Sequence, residues 1–138
     1  MLPVKTAVVG LGRFGRLHSL TLNGLAEAEL VGVVARREES VTALTSEIAG
    51  VPGWTNLDQA IAECQADAWV IACTTSQHVA VARALLEAGK SVLLEKPISE
   101  DLDEAHSLKP LVKYDSSNLM LGHLSLIHIS EPTRLHCI

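Results

Sequence analysis

The stretch Thr6 to Arg16, TAVVGLGRFGR, constrains this chain more than any other. Ala7, Val8 and Val9 form an apolar strand-length run, Gly10, Gly12 and Gly15 follow in G-x-G-x-x-G spacing, and Phe14 to Leu25 carries helical periodicity. Each glycine answers a separate demand: Gly10 permits a tight turn off the strand, Gly12 lets a pyrophosphate approach bare backbone, and Gly15 lets helix and strand pack closely. The first N–H groups of the helix, with the positive end of its dipole, are then left facing an anion. We read the stretch as a dinucleotide-binding loop, with Gly10, Leu11, Gly12, Arg13, Phe14 and Gly15 as its cofactor-binding candidates.

The rest of the chain alternates short apolar runs with helical ones. Asn23-Gly24 reads as a left-handed stop to the first helix, and Glu29 to Ala35 as a strand buried on both faces. Glu38 to Ala49 is helical and ends at Gly50. Trp54-Thr55 reads as a short third strand, with Thr55 or Asn56 capping a helix over Leu57 to Cys64. Ala68 to Cys73 is the next strand, before a helix whose Val79, Ala82, Leu85 and Leu86 share one face and which Gly89 ends. Ser91 to Leu94 is a strand, Asp101 to Lys113 a helix, and Leu119 to Leu121 a last strand. Such alternation predicts an α/β domain over residues 1–123: a doubly wound parallel sheet of Rossmann type, in the order 3-2-1-4-5-6.

Composition narrows the function classes. With 138 residues the chain holds one core, and 48% hydrophobic against 20% charged residues marks it as globular. The net charge of −5, with scattered Lys and Arg, argues against a nucleic-acid partner. Apolar runs are strand-length, so no membrane partner is expected. The start MLPVKTAVVG leaves no room for a signal peptide, from which a cytoplasmic location is expected. Cys64, Cys73 and Cys137 form no C-x-x-C pair, and neither a disulfide nor a metal site is expected.

Three segments at strand ends carry candidate chemistry. The end of the second strand, where a carboxylate would accept from the ribose 2′-OH of NAD, holds Ala35, followed by Arg36 and Arg37. A missing acid beside guanidinium groups suits a 2′-phosphate, so the cofactor reading is NAD(P), leaning to NADP; the competing reading makes both arginines solvated surface residues. Thr74, Thr75 and His78 leave the fourth strand, where they either contact a nicotinamide ribose or form an ordinary polar first turn of a helix. Glu95-Lys96-Pro97 follows the fifth strand, and Lys96 there either polarises a substrate oxygen or is plain surface.

The runs GLGRFGRLH (Gly10–His18), TTSQH (Thr74–His78), ALLEAGKSVLLEKP (Ala84–Pro97) and LMLGH (Leu119–His123) together resemble the Gfo/Idh/MocA oxidoreductases across Val4 to His123. The resemblance implies a Rossmann domain followed by a second, substrate-binding α+β domain, hydride transfer between NAD(P) and a carbon of a sugar, polyol or related compound, and a parent protein that is a homo-oligomer. It also implies that Lys96 is the catalytic lysine beside the nicotinamide, oriented by Glu95, that Pro97 is a candidate for a cis peptide, that His78 lies near the nicotinamide ribose, and that His123 marks the crossing into the second domain. The family's further Asp-x-x-x-His pair, whose histidine handles the hydroxyl proton, has no counterpart here. The expected function is therefore the cofactor half of such an enzyme, inactive alone, with a stand-alone NAD(P)-binding sensor as the alternative.

Leu124 to Arg134, LSLIHISEPTR, resembles the conceptual translation of a sequencing adapter. Residues 124–138 are accordingly expected to be a non-native tail and the substrate domain to be absent, and His128, His136 and Cys137 are set aside as ligands. A genuine edge strand over Leu124–Ile129 is the competing reading, and resequencing the locus decides between them.

Overall fold

The apolar runs that end at Val9, Val34, Ile71 and Leu94 supply most of the core, and each leads into a helical segment. Parallel pairing with crossover helices on both sides is the arrangement that covers them all. The computed structural model describes residues 2–113 and 118–122, and the expectations for His123 and for the 124–138 tail lie outside those residues. In chain order the elements are β1 (Val4–Val9), α1 (Arg13–Gly24), β2 (Ala28–Val34), α2 (Glu38–Glu47), β3 (Gly53–Trp54) and α3 (Leu57–Glu63). Then come β4 (Ala68–Ile71), α4 (Thr75–Glu87), β5 (Ser91–Glu95), α5 (Leu102–His106), a 3₁₀ turn (Lys109–Leu111) and β6 (Leu119–Gly122).

The strands form one sheet in the order β3-β2-β1-β4-β5-β6, every pair parallel, which is the Rossmann order expected from the sequence. Alternation along the strands feeds two separate cores. Ala7, Val9, Trp69, Ile71, Val92 and Leu94 pack with residues of α3 and α4 on one face. Val8, Leu30, Val33 and Val70 pack with Leu44 and Ile48 on the other, against α1 and α2. Register slips once between β1 and β2, where Thr6 faces Leu30 but Ala7 faces Gly32. Gly32 is required there by packing, because a Cβ would come within 2.8 Å of both the Cys64 sulfur and the Trp54 ring.

Three local expectations need correction. Gly24 does not stop α1 in a left-handed conformation: positive φ occurs at Gly10, Gly50 and Gly89, and α1 ends on an extended Leu25. The helix read over Asp101 to Lys113 is two pieces, α5 and the 3₁₀ turn, because Pro110 lacks the N–H that a continuous α-helix would use. The fourth strand ends at Ile71, two residues before Cys73, as the chain turns out toward α4.

Candidate functional site

Register aligns the strand ends. Val9 pairs with Val34 on one side and Ile71 on the other, and Ile71 pairs with Leu94, so Val34, Val9, Ile71 and Leu94 stand in one row. One residue further, at the carboxyl rim, stand Ala35, Gly10, Ala72 and Glu95. Strand spacing of about 4.8 Å puts the two ends of this rim row roughly 14 Å apart. Candidates drawn from four separate stretches of sequence are thus gathered on one edge, and the middle of that edge, between β1 and β4, is where the strand order reverses.

At that reversal the three glycines do three different things. Gly10 has φ +96°, and a Cβ there would lie 2.5–2.7 Å from the backbone of Ala72 and Cys73. A Cβ on Gly15 would collide with the Gly10 carbonyl oxygen, so α1 rests directly on the turn. Gly12 is the opposite case, since a Cβ there would meet nothing within 4 Å. Gly12 is also the N-cap of α1, offers no side-chain cap, and is followed by no acidic residue in the first turn. The first N–H groups of α1 therefore open on bare, unneutralised space, which is the condition for holding a diphosphate.

That space is a cleft of about 630 Å³. Gly10, Leu11, Gly12, Ala35, Arg36 and Thr74 line it, as does Arg37. Its far wall went unread in the sequence: Ser40 of α2, then Thr55, Asn56, Leu57 and Asp58 at the start of α3, and Ala80, Val81 and Ala84 along α4. Asn56 carried a legible signal as the α3 cap, and its side chain does accept from the Gln59 N–H at 2.9 Å. Nothing local marked α3 as a wall of the cleft. A second cleft, of about 580 Å³, opens at the other end of the sheet beside Lys5, Asp67 and Lys90. No glycine turn or helix N-terminus lines it, and open α/β sheets bind ligands at the carboxyl ends of their strands.

Arg13, Phe14, Gly15, Thr75, His78, Glu95, Lys96 and Pro97 lie outside the lining of the first cleft. Gly15 is buried beneath the turn, while Arg13 and Phe14 are exposed on the first turn of α1. Thr75 opens α4, with Thr74 as an N-cap whose hydroxyl makes no cap bond. His78, 2% exposed, has Nδ1 2.7 Å from the Pro97 carbonyl oxygen and Nε2 3.0 Å from that of Cys73. Its ring is thus occupied with backbone and has no free edge for a ribose, which corrects the expectation of direct contact. Glu95 meets His18 Nε2 at 3.0 Å, so among the described residues its partner is a histidine of α1 and not Lys96. Lys96 is exposed, and the Lys96-Pro97 peptide is cis.

Charge around the cleft is uneven. Arg36 and Arg37 border its β2 end, whereas Glu47 is turned aside to Arg16 of α1 at 2.9 Å, an ion pair that holds the carboxyl below its usual range. Burial pushes the Cys64 and Cys73 thiols up, so both stay protonated and weakly reactive. Among the described residues no three His, Cys, Asp or Glu side chains gather as a metal site would require, and no helix is long and apolar enough to cross a membrane.

Comparison with known proteins points the same way. The model of the Gfo/Idh/MocA oxidoreductase family, NAD-binding Rossmann fold, matches residues 4–123. UDP-N-acetylglucosamine 3-dehydrogenase of Acidithiobacillus ferrooxidans is 30% identical over 93% of this chain and 39% of its own length. Inositol 2-dehydrogenase of Rhizobium meliloti is 31% identical over 86% and 36%. Among solved structures, scyllo-inositol dehydrogenase of Lactobacillus casei with bound NAD(H) and scyllo-inositol superposes with a TM-score of 0.75 at 22% identity, over 87% of this chain and 36% of that one, a likeness of fold. The chain spans 39% and 36% of the lengths of the two curated relatives. Glycine turn, sheet order and family match agree: this chain belongs to the Gfo/Idh/MocA oxidoreductase family and carries its NAD-binding Rossmann domain.

Proposed function

We propose that this chain is the cofactor-binding half of an oxidoreductase that moves hydride between NAD(P) and a CH–OH carbon of a sugar, polyol or related substrate, and that it does not turn over alone. One observation carries the reading. The bare N-terminus of α1 and the Glu95-Lys96-Pro97 segment stand on the same rim, two strands apart, with the cleft running from the first toward the end of β2.

The residues present fit a dinucleotide. Gly12 and the free N–H groups of α1 would hold the diphosphate, and the apolar α4 wall with Leu57 would enclose the adenosine half. Ala35, Arg36 and Arg37, with the Ser40 hydroxyl, favour a 2′-phosphate over a bare 2′-OH, which supports NADP. When bound, the nicotinamide would supply the hydride chemistry. Lys96 would polarise or exchange a proton with the substrate oxygen, and the second domain of the parent protein would supply the remaining proton transfer and the substrate contacts.

The stand-alone sensor has one observation in its favour: Lys96 is exposed and outside the cleft lining, which a sensor with no use for a lysine also satisfies. Fluorescence titration of the chain with NADPH and NADH tests the main reading. NADPH is expected to bind roughly tenfold tighter, or more. A preference for NADH overturns the roles given to Arg36 and Arg37, and binding of neither overturns the cofactor reading as a whole.

A further inference from the structure

The Glu95-Lys96-Pro97 segment is held from two sides by histidines, one from each helix that starts at the sheet's reversal point. On one side His18, in α1, has Nε2 3.0 Å from Glu95 Oε1, with side chains 17% and 25% exposed. On the other His78, in α4 and sealed from solvent, reaches the Pro97 carbonyl oxygen at 2.7 Å while its second nitrogen lies 3.0 Å from the Cys73 carbonyl oxygen. Lys96 between them is exposed, and among the described residues nothing bonds its amine. A flexible four-carbon side chain is thus mounted on a backbone fixed at both neighbours.

The two contacts join distant parts of the sequence. Residues 18 and 95 are 77 apart, and 78 and 97 are 19 apart. The sheet alone would fix Glu95 through β5, but β5 ends there, and Lys96 and Pro97 continue past the last strand residue. Side-chain anchors are what remains to set their direction. The α1 anchor has a special consequence, because the same helix presents its N-terminus to the cleft.

We propose that His18 and His78 are positioning residues for Lys96, and that the His18–Glu95 contact couples occupancy of the α1 N-terminus to the placement of the Lys96 amine. This rests on the dinucleotide reading above and adds to it a mechanical link between the two ends of the site. The relevant charged groups at the link are Glu95 and Lys96, and the anion bound at the N-terminus of α1 would act through the short stretch of helix between Arg13 and His18.

The test is the acetylation rate of Lys96 by dilute acetic anhydride, read by peptide mass spectrometry on the 138-residue chain with and without NADPH. In the unaltered chain bound NADPH is expected to slow labelling of Lys96 roughly threefold or more, with Lys109 and Lys113 as internal references. His18→Leu should abolish that protection while NADPH affinity changes less than about twofold, and His18→Gln, which keeps an N–H donor toward Glu95, should restore it. Glu95→Ala, which removes the acceptor, serves as the second variant if His18→Leu fails to fold, and it too should lose protection. Undiminished protection in His18→Leu or Glu95→Ala overturns the coupling. NADPH binding without any protection in the unaltered chain also overturns it while leaving the cofactor site standing, whereas absence of NADPH binding overturns both.

Discussion

Helices α1 and α3 both begin at the edge of the same cleft, and they begin in opposite ways. At α3 the Asn56 side chain accepts from the Gln59 N–H and Asp58 stands in the first turn, so the helix end is satisfied and neutralised by its own residues. At α1 the cap is Gly12, with no side-chain bond and no acid in the first turn. A protein that needed only stability would cap both. Helix α4 also starts at this cleft without a side-chain cap bond or a first-turn acid, but on Thr74. At α1 the cap residue has no side chain at all, which suits its N–H groups to an anion, while α3 is a wall that can face a neutral group.

The largest effect expected from this contrast is at Gly15. Gly15→Ala would drive a Cβ into the Gly10 carbonyl, costing on the order of 3 kcal/mol, and NADPH binding should fall with the fold. Chemical denaturation read beside the titration would show the two losses together; a stable Gly15→Ala chain would mean that α1 does not rest on the turn. Next comes the β2 end of the cleft. Arg36→Ala should weaken NADPH roughly tenfold and NADH little, so equal losses for both would remove the 2′-phosphate role.

Asn56→Ala is the mirror image of a change at Gly12. It should cost about 1 kcal/mol of stability and leave NADPH affinity within about twofold, since the α3 end is satisfied by its own cap and first-turn acid. The smallest effect belongs to Arg16 and Glu47, which tie α1 to α2 across solvent. Because Arg16 lowers the Glu47 pKa, the contribution is fully present above the ordinary carboxylate range, near about pH 4.3, and is lost as pH falls through the lowered value. Thermal melts of Arg16→Met should therefore differ slightly from the unaltered chain at neutral pH and converge with it in acid.

The sequence carried the glycine turn, the strand order and the rim segments because each is a local pattern: period, punctuation and the alternation of apolar runs. It carried less where distance along the chain decides. Nothing around Leu57 or Ala80 announces that α3 and α4 close the cleft, and nothing near His18 announces Glu95. His78 reads, from its place after a strand end, either as a ribose contact or as a polar first-turn residue of a helix, and the fold puts it in the first turn of α4 and turns it inward onto two carbonyl oxygens. Pro110 is a local signal that the reading of one helix over Asp101 to Lys113 passes over, and the chain there divides into α5 and the 3₁₀ turn.

The central claim is that the α1 end is bare in order to bind. Gly12→Asp tests it most directly, because φ −74° and ψ −158° suit a capping residue and a Cβ there meets nothing. Calorimetric titration with NADPH beside a thermal melt should give a midpoint held or slightly raised, with binding lost. Retention of full NADPH affinity by the folded Gly12→Asp chain would contradict the account.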